Sequence, residues 1–302
     1  MFWTWPHMTE ASVSHPRATW IDPATGAGVD QGELMQRMAK KQAVLLGESH
    51  DIAEIHRWQL QVTTCLHLLR PNMVVGFEMF PRRVQPVLDQ WVAQELTTAE
   101  FIARSEWADV WGFDPQIYLP LFYFCRQQNV PMRALNCTRS LVTRVGQLGW
   151  DAIPVEERDS VTPSAPPTQG YRDYLTGLMS GLGSRDALLT EPGRFDRFIR
   201  AQQVWDRSFA CAIADCLKGQ DSDPLVIGII GRGHLEYGHG TPYQLRDLGV
   251  HDVAVLLPTD AAEHEAQRLV GLADGVFHLD YPEPPSERQA RKPASAASGP
   301  AT

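Results

Sequence analysis

Short apolar segments alternate with longer amphipathic segments along most of this chain. The apolar segments cover residues 42 to 46, 73 to 80, 130 to 136, 225 to 230, 252 to 257 and 275 to 279. Strands that are apolar throughout, separated by segments with helical spacing, are typical of a mainly parallel sheet that is buried on both faces. The pattern therefore predicts an α/β fold in which helices flank a central, mainly parallel sheet.

Three segments depart from this alternation. Residues 1 to 29 are rich in Trp, Pro, Gly and Thr, and predict an irregular lead-in with a short strand near Trp20. Residues 159 to 218 begin as a polar, proline-rich loop and continue as two helical patterns, which predicts a helical insertion. Residues 282 to 302 have the composition of a disordered tail. We therefore expect a single domain over residues 30 to 281.

The charge of the chain narrows the choice of partners. The 302 residues include 27 Lys and Arg against 36 Asp and Glu, a formal net charge of −9. Binding to nucleic acid without sequence preference needs clustered cations against phosphates, so this composition argues against a nucleic-acid partner. The same reasoning disfavours an anionic membrane surface.

The apolar segments are also too short to suggest a membrane span, which needs about 18 to 20 apolar residues. The N-terminal segment MFWTWPHMTEASVSHP shows neither the basic and apolar regions of a secretory signal nor a cysteine for lipid attachment. The sequence analysis therefore predicts a cytoplasmic protein.

Polar side chains that could act as ligands or catalytic groups lie at the ends of three of the predicted strands. Glu48 and His50 stand in GESH after the first strand, Glu78 lies at the end of the second, and His234 stands in GRGH after a later one. In a parallel sheet, ligands bind outside the carboxyl ends of the strands, where such side chains meet. We therefore predict that these four residues share one site.

Each of these residues also has a purely structural interpretation. A single histidine after a strand is more often a capping or core residue than a ligand. Glu78 is harder to explain in this way, because a buried charge without a partner is strongly destabilising. An ion pair with Arg57 or Arg82 is the structural alternative for Glu78. The two GxxH units together with Glu78 favour a shared site.

A second group of residues is predicted to lie around this site and to contact a cofactor. Each of these residues is also of a type that commonly packs in a core or a turn. Asp206 is not among them, because a charged residue in the middle of an apolar helix pattern is best explained by a cap or a salt bridge. The candidate cofactor contacts are Trp58, Tyr118, Arg232, Tyr237 and His239.

Several familiar sites are excluded by their missing motifs. The sequence GRG at residues 231 to 233 lacks the third glycine of a dinucleotide-binding fingerprint, and there is no phosphate-binding loop of the GxxxxGK[ST] type. The chain also contains neither HExxH nor GxSxG. NAD enzymes, P-loop ATPases and ordinary serine hydrolases are therefore poor interpretations.

The motifs together resemble a known family. LLGESHD, VVGFEMFPR, WGFDPQIYLPLFYFCRQQNVPMRALN, AQQVWDRSFA and GRGHLEYGHGTPYQL resemble, in this order, segments of the ChaN family. That family belongs to a superfamily with the Tiki and TraB proteins and, more distantly, the erythromycin esterases. The resemblance covers about residues 40 to 260 and implies the fold of that superfamily.

The resemblance implies three functions. ChaN-like proteins are haem-binding proteins of iron handling, in which a tyrosine and a histidine hold haem at a homodimer interface; Tyr118 and Tyr237 are the candidate tyrosines here. Tiki-like members are metal-dependent proteases, and the metal role would pass to His50, Glu78 and His234, with Glu48 as a base that reaches the bound water. In an esterase-like, metal-free reaction His50 would activate water beside Glu78.

These alternatives differ in their cofactor. The cofactor would be haem, a divalent transition metal, or neither. Haem or iron binding is the leading interpretation, because the resemblance extends over most of the chain, and a hydrolase is the alternative.

Overall fold

The computed structural model describes residues 17 to 181, 193 to 218, 223 to 259 and 269 to 279. The predicted tail at 282 to 302 and residues 1 to 16 of the lead-in lie outside the described residues. Residues 17 to 29 of the lead-in contain two short strands that join the edge of the sheet.

Eight strands form one sheet within these ranges. They are β1 (Trp20–Ile21), β2 (Gly28–Val29), β3 (Ala43–Glu48), β4 (Met73–Pro81), β5 (Met132–Asn136), β6 (Leu225–Gly231), β7 (Val253–Thr259) and β8 (Gly275–His278). Their order is β2-β1-β8-β7-β3-β6-β4-β5. The neighbours from β8 to β5 are parallel, whereas β1 runs antiparallel to β8 and β2. The predicted mainly parallel α/β sheet is thus confirmed.

The helices connect and cover these strands. They are α1 (Gln31–Met38), α2 (Ala53–Leu69), α3 (Gln85–Val92), α4 (Thr98–Arg104), α5 (Trp107–Val110), α6 (Leu119–Gln127), α7 (Arg139–Leu148), α8 (Gln169–Gly181), α9 (Arg194–Leu217) and α10 (Thr241–Asp247). None of the helices in the described ranges has both the length and the apolar character needed to cross a membrane.

One face of the sheet is covered by aromatic packing. Phe77 of β4 meets Phe122 of α6 with ring centroids 5.2 Å apart, and Trp91 of α3 meets Phe101 of α4 at 4.6 Å. All four side chains are fully buried. Each such side chain contributes roughly 1.5 to 3 kcal/mol through burial, so this face is a rigid support for the end of β4.

The other face of the sheet is covered by α9, which lies in the segment 159 to 218 that the sequence predicts as a helical insertion. Phe209 and Ile213 of α9 pack with Leu45 of β3 and Ile230 of β6 in a second buried cluster. The apolar side chains of α9 are therefore part of the α/β core. The helix at the start of the segment, α8, packs mainly on α9 through a smaller cluster that includes Tyr171.

The central three strands of the parallel sheet end together. Glu48, the last residue of β3, is in register with Gly231, the last residue of β6. Strand β4 lies on the other side of β6, and its register with β5 shifts between Phe77 and Pro81. Such irregularities re-aim side chains at the ends of strands. Glu78 lies within this shifted stretch.

Candidate active site

A cavity of about 580 Å³ lies at the carboxyl ends of β3, β6 and β4. His50, Glu78 and His234 all line it. These residues are far apart in the sequence, and the order of the strands brings them to one edge of the sheet. The structure therefore gathers three of the four predicted site residues around one cavity.

Gly231 allows the first two of these side chains to approach each other. A Cβ atom at Gly231 would lie 2.9 Å from His50 Cε1, 3.4 Å from His50 Nε2 and 3.2 Å from Glu78 Oε2. Distances this short leave no room for a side chain. The glycine at the end of β6 is therefore required by the two side chains that pass over it.

Glu48 lies behind His50 and not in the cavity lining. Its Oε1 accepts a hydrogen bond from His50 Nδ1 at 2.9 Å, and the carboxylate is fully buried. The prediction that Glu48 reaches a bound water as a base is therefore not supported by this position. A carboxylate bonded to Nδ1 fixes the orientation of the imidazole and leaves Nε2 as the reactive nitrogen.

Three further side chains hold Glu48 in place. Tyr118 donates its hydroxyl hydrogen to Oε1 at 2.9 Å, and Gln59 donates to Oε2 at 3.2 Å. His56 lies 3.5 Å from Oε2 and contacts the backbone carbonyl of His50. Burial opposes ionisation of Glu48, but the hydrogen bond from His50 and the other partners outweigh it, so its pKa is lowered. Glu48 is thus an anchored anion.

The contact with Glu48 also changes the pKa of His50. Burial lowers the pKa of this imidazole, but the hydrogen bond to Glu48 and the negative charges of Glu78 and Asp51 outweigh burial and raise the pKa to about 8. The ring also contacts Trp111 edge-on, with centroids 4.6 Å apart. At neutral pH, His50 is therefore mainly a cation facing the cavity.

His234 has a buried carboxylate of its own. Its Nδ1 donates to Asp206 Oδ1 of α9 at 2.8 Å. Burial lowers the pKa of His234, but the negative charge of Asp206, the hydrogen bond and the charge of Glu78 outweigh burial, so the pKa is raised. The cavity is thus flanked by two imidazoles, each oriented from behind by a carboxylate.

Asp206 was not predicted as a site residue, but it lies directly behind His234. It is fully buried and also accepts hydrogen bonds from Tyr171 at 2.5 Å and from Thr241 at 3.2 Å. A Cβ at Gly240 would lie 2.6 Å from its Oδ1, so glycine is needed there too. The salt bridge predicted for Asp206 is present, with His234 as its partner, and a charged side chain on the buried face of a long helix was the signal that it lies beside the site.

Glu78 is the third charged group of the cavity. Its Oε2 accepts a short hydrogen bond from the backbone N–H of Gly231. Neither arginine proposed as an ion-pair partner contacts it, because Arg57 pairs with Glu54 and Arg82 donates to the carbonyl oxygens of residues 159 and 208. Glu78 therefore presents its carboxylate to the cavity between the two imidazoles.

His50, Glu78 and His234 were also predicted as metal ligands. Within the described parts of the chain, no three His, Cys, Asp or Glu side chains are arranged so that they could hold a metal ion. The three residues share a cavity, but their placement does not form a ligand set.

Two of the predicted cofactor contacts lie in the core instead. Trp58 is buried against Trp20 and Phe277, with ring centroids 6.0 and 6.2 Å away, and does not line the cavity. Tyr118 is fully buried beneath Glu48, and burial together with that charge raises the pKa of its hydroxyl far above the usual range. Its oxygen is engaged in hydrogen bonds with Glu48 and Trp111, so it is not available as a haem ligand.

The other three predicted contacts lie outside the cavity. Tyr237 is 39% exposed and has a left-handed backbone with φ of 56°. Its ring centroid lies 6.0 Å from that of His239 and 5.8 Å from that of Tyr174. We call Tyr174, Tyr237 and His239 the tyrosine–histidine cluster. Arg232 lies beside this cluster and pairs with Glu236, to which Tyr174 donates a hydrogen bond.

The histidine of this cluster differs in acidity from those of the cavity. Burial and the positive charge of Arg246 lower the pKa of His239. No carboxylate contacts its ring in the part of the chain that the structure describes. The lowered pKa favours the neutral form of His239, which is the form that can bind iron.

A family model identifies the group of proteins to which these features belong. The model described as "Haem-binding uptake, Tiki superfamily, ChaN" matches residues 34 to 245, more than two thirds of the chain. The chain belongs to this family. The resemblance found in the sequence is thereby confirmed. None of the curated proteins compared with the chain matches it.

A solved structure of a ChaN protein shows the same fold. The chain is similar to a structure of ChaN from Campylobacter jejuni with cofacial haem, at 20% identity and a TM-score of 0.66, over 86% of this chain and 95% of that one. It is also similar to a mutant of the erythromycin esterase EreC in its open conformation, at 11% identity and a TM-score of 0.48, over 81% of this chain and 76% of that one. A third match is the toxin effector domain RRSP of Vibrio vulnificus, at 16% identity and a TM-score of 0.45, over 76% of this chain and 36% of that one.

Proposed function

We propose that this ChaN-family protein binds haem, and that it does so at the tyrosine–histidine cluster. The observation that carries the proposal is the pair formed by Tyr237 and His239, an accessible phenol beside an imidazole whose pKa is lowered. Tyrosine and neutral histidine are both axial ligands of haem iron. The family description and the haem-bound ChaN from Campylobacter jejuni support this assignment.

The residues around this pair suit a flat, apolar ligand. Tyr174 adds a second aromatic ring, and Leu178 of α8 is exposed close to the same surface. Arg246 provides positive charge nearby, of the kind that neutralises haem propionates. Haem bound here would place its iron at the protein surface, where a second copy of the chain could cover it.

Titration of the purified protein with haemin tests this proposal. We expect a Soret shift that saturates at a stoichiometric ratio, and Tyr237→Phe should weaken binding by at least about tenfold, because one iron ligand is lost. Tyr123→Phe is the matched control: Tyr123 is 37% exposed and lies on α6 beside Thr98. Equal haemin affinity in the two variants would refute the assignment to Tyr237.

The cavity favours a second function, metal-free hydrolysis. The specific observation is that His50 and His234 each donate a hydrogen bond from Nδ1 to a buried carboxylate and line the same cavity as Glu78. In its neutral form, His50 would take a proton from water through Nε2, while protonated His234 would give a proton to the leaving group. Glu78 would hold the attacking water between them. Positioned acid–base groups of this kind accelerate reactions by about 10² to 10⁴.

Hydrolysis of 4-nitrophenyl acetate, butyrate and phosphate, followed by release of 4-nitrophenolate, tests this second function. We expect His50→Gln and Glu78→Gln to lower kcat/KM by at least about 10². The control is His251→Gln, which changes an exposed histidine outside the cavity. EDTA should leave the rate unchanged. Activity that is lost with EDTA, or that survives His50→Gln, would overturn the metal-free mechanism.

A further inference from the structure

The cavity extends beyond the two imidazoles to a polar wall formed by the start of α7. Thr138, Arg139 and Ser140 line this part of it. Arg139 is exposed to solvent and forms no ion pair with any described residue. The other arginine of the lining, Arg83, is already paired with Glu106, with Nη2 2.7 Å from Oε2. Arg139 is therefore the arginine of this lining that is available to a ligand.

Aromatic side chains lie next to both imidazoles. Trp111 and Phe113 contact His50, with ring centroids 4.6 and 5.4 Å away, and Trp205 lies 6.2 Å from His234. All three rings line the cavity. Pockets that combine aromatic walls with a few polar groups, at a volume near 580 Å³, accommodate drug-sized organic molecules.

We propose that this cavity binds a small organic anion, with a flat apolar group beside Trp111, Phe113 and Trp205 and a carboxylate or phosphate at Arg139. A guanidinium recognises either acid through paired hydrogen bonds. Glu48, Asp206 and Glu78 offset the charge of the two imidazoles, so Arg139 is the group that would attract the anion. This binding is separate from haem at the tyrosine–histidine cluster, and it names the substrate class of the cavity if the cavity is hydrolytic.

Two carboxylates in the lining, Glu78 and Asp109, oppose the binding of an anion. Glu78 lies between the two imidazoles, whereas Asp109 lies apart from them and provides a test. Asp109 of α5 also lines the cavity and makes no ion pair with Arg139. An anionic ligand is repelled by Asp109 and attracted by Arg139, so the two side chains have opposite expected effects. A cationic ligand would reverse both signs.

Isothermal titration calorimetry with 2-naphthoate, 2-naphthylphosphonate and neutral 2-naphthamide tests the proposal. We expect at least one anion to bind about tenfold more tightly than the amide. Arg139→Ala should remove this advantage and leave amide binding unchanged, and Asp109→Asn should strengthen anion binding about twofold to fivefold. The preferred anion distinguishes a carboxylate from a phosphate ligand. Arg144→Ala, on the same helix but outside the cavity lining, is the control and should have no effect.

The naphthyl probes are not hydrolysed, so this experiment does not depend on catalysis. Absence of ester hydrolysis would refute the second function and leave the binding proposal standing. The binding proposal is overturned if none of the probes binds, if the amide binds as tightly as both anions, or if Arg139→Ala has no effect. Circular dichroism of each variant confirms that the fold is retained.

Discussion

His50 and His234 lie in the cavity and His239 lies in the tyrosine–histidine cluster, and these two environments shift the imidazole pKa in opposite directions. In the cavity, Glu48 and Asp206 stand behind His50 and His234 and raise both pKa values. In the tyrosine–histidine cluster, burial and Arg246 lower the pKa of His239. A carboxylate at Nδ1 prepares an imidazole to exchange protons, and its absence leaves a neutral ligand for iron. The contacts of the ring, rather than the residue type, separate the two proposed functions.

The largest effect is expected from Asp206→Asn, which removes the negative charge behind His234. Asp206 is buried and accepts hydrogen bonds from Tyr171, Thr241 and His234. An amide cannot accept from all three donors, so we expect the free energy of unfolding to fall by about 2 to 4 kcal/mol. Urea unfolding measures this loss.

The control for this change is Asp196→Asn. Asp196 forms an ion pair with Arg172 at 2.6 Å, but both side chains are partly exposed to solvent. Exposed pairs contribute about 0 to 1 kcal/mol. A loss in Asp206→Asn no greater than in Asp196→Asn would show that the carboxylate behind His234 is not part of the core.

An intermediate effect is expected from Glu48→Gln, which removes the charge behind His50. We expect the pKa of His50, about 8 in the native protein, to fall by at least about one unit. Titration of the imidazole protons by NMR measures this change, and His239 in the same spectra should keep its lowered pKa. An unchanged pKa of His50 would contradict the proposed coupling.

The same pKa makes stability depend on pH. Because the folded pKa of His50 is raised above the ordinary value of 6.5, its contribution is fully present below pH 6.5 and is lost as the pH rises through about 8. His50 is about one third exposed, so solvent screening reduces this contribution to roughly 1 kcal/mol. The stability difference between the native protein and His50→Gln should shrink by that amount between pH 6 and pH 9.

The smallest effect is expected from Tyr118→Phe. This change removes the hydrogen bonds of the hydroxyl with Glu48, Trp111 and the His50 carbonyl and leaves the ring in the core, so we expect a loss of about 1 to 2 kcal/mol. Haemin affinity should not change, because the hydroxyl is buried. A drop in haemin affinity would return Tyr118 to the group of candidate ligands.

The sequence predicts the fold through the continuous apolar strands. Segments such as residues 73 to 80 and 225 to 230 are too apolar for a solvent-exposed face, and their alternation with helices is enough to indicate a parallel sheet. The role of α9 was not predicted, because its pattern shows an apolar face without showing what that face covers. Its partners, Leu45 and Ile230, are distant in the sequence.

The candidate site was predictable only where a side chain follows a strand. His50, Glu78 and His234 are gathered in this way, because strand order determines where the strands end. Asp206 reaches the site from a helix, and no spacing in the sequence relates it to His234. Trp58 and Tyr118 were misplaced for a similar reason, since helical spacing does not show whether an aromatic ring faces a cavity or the core.

The most direct test of the two-region account is haemin titration of two variants side by side. The account predicts that Tyr237→Phe weakens haemin binding at least about tenfold, whereas the double variant His50→Gln and His234→Gln retains the native affinity and Soret maximum. The opposite result, with haemin binding lost in the double variant and retained in Tyr237→Phe, would place haem in the cavity and contradict the separation of the two sites.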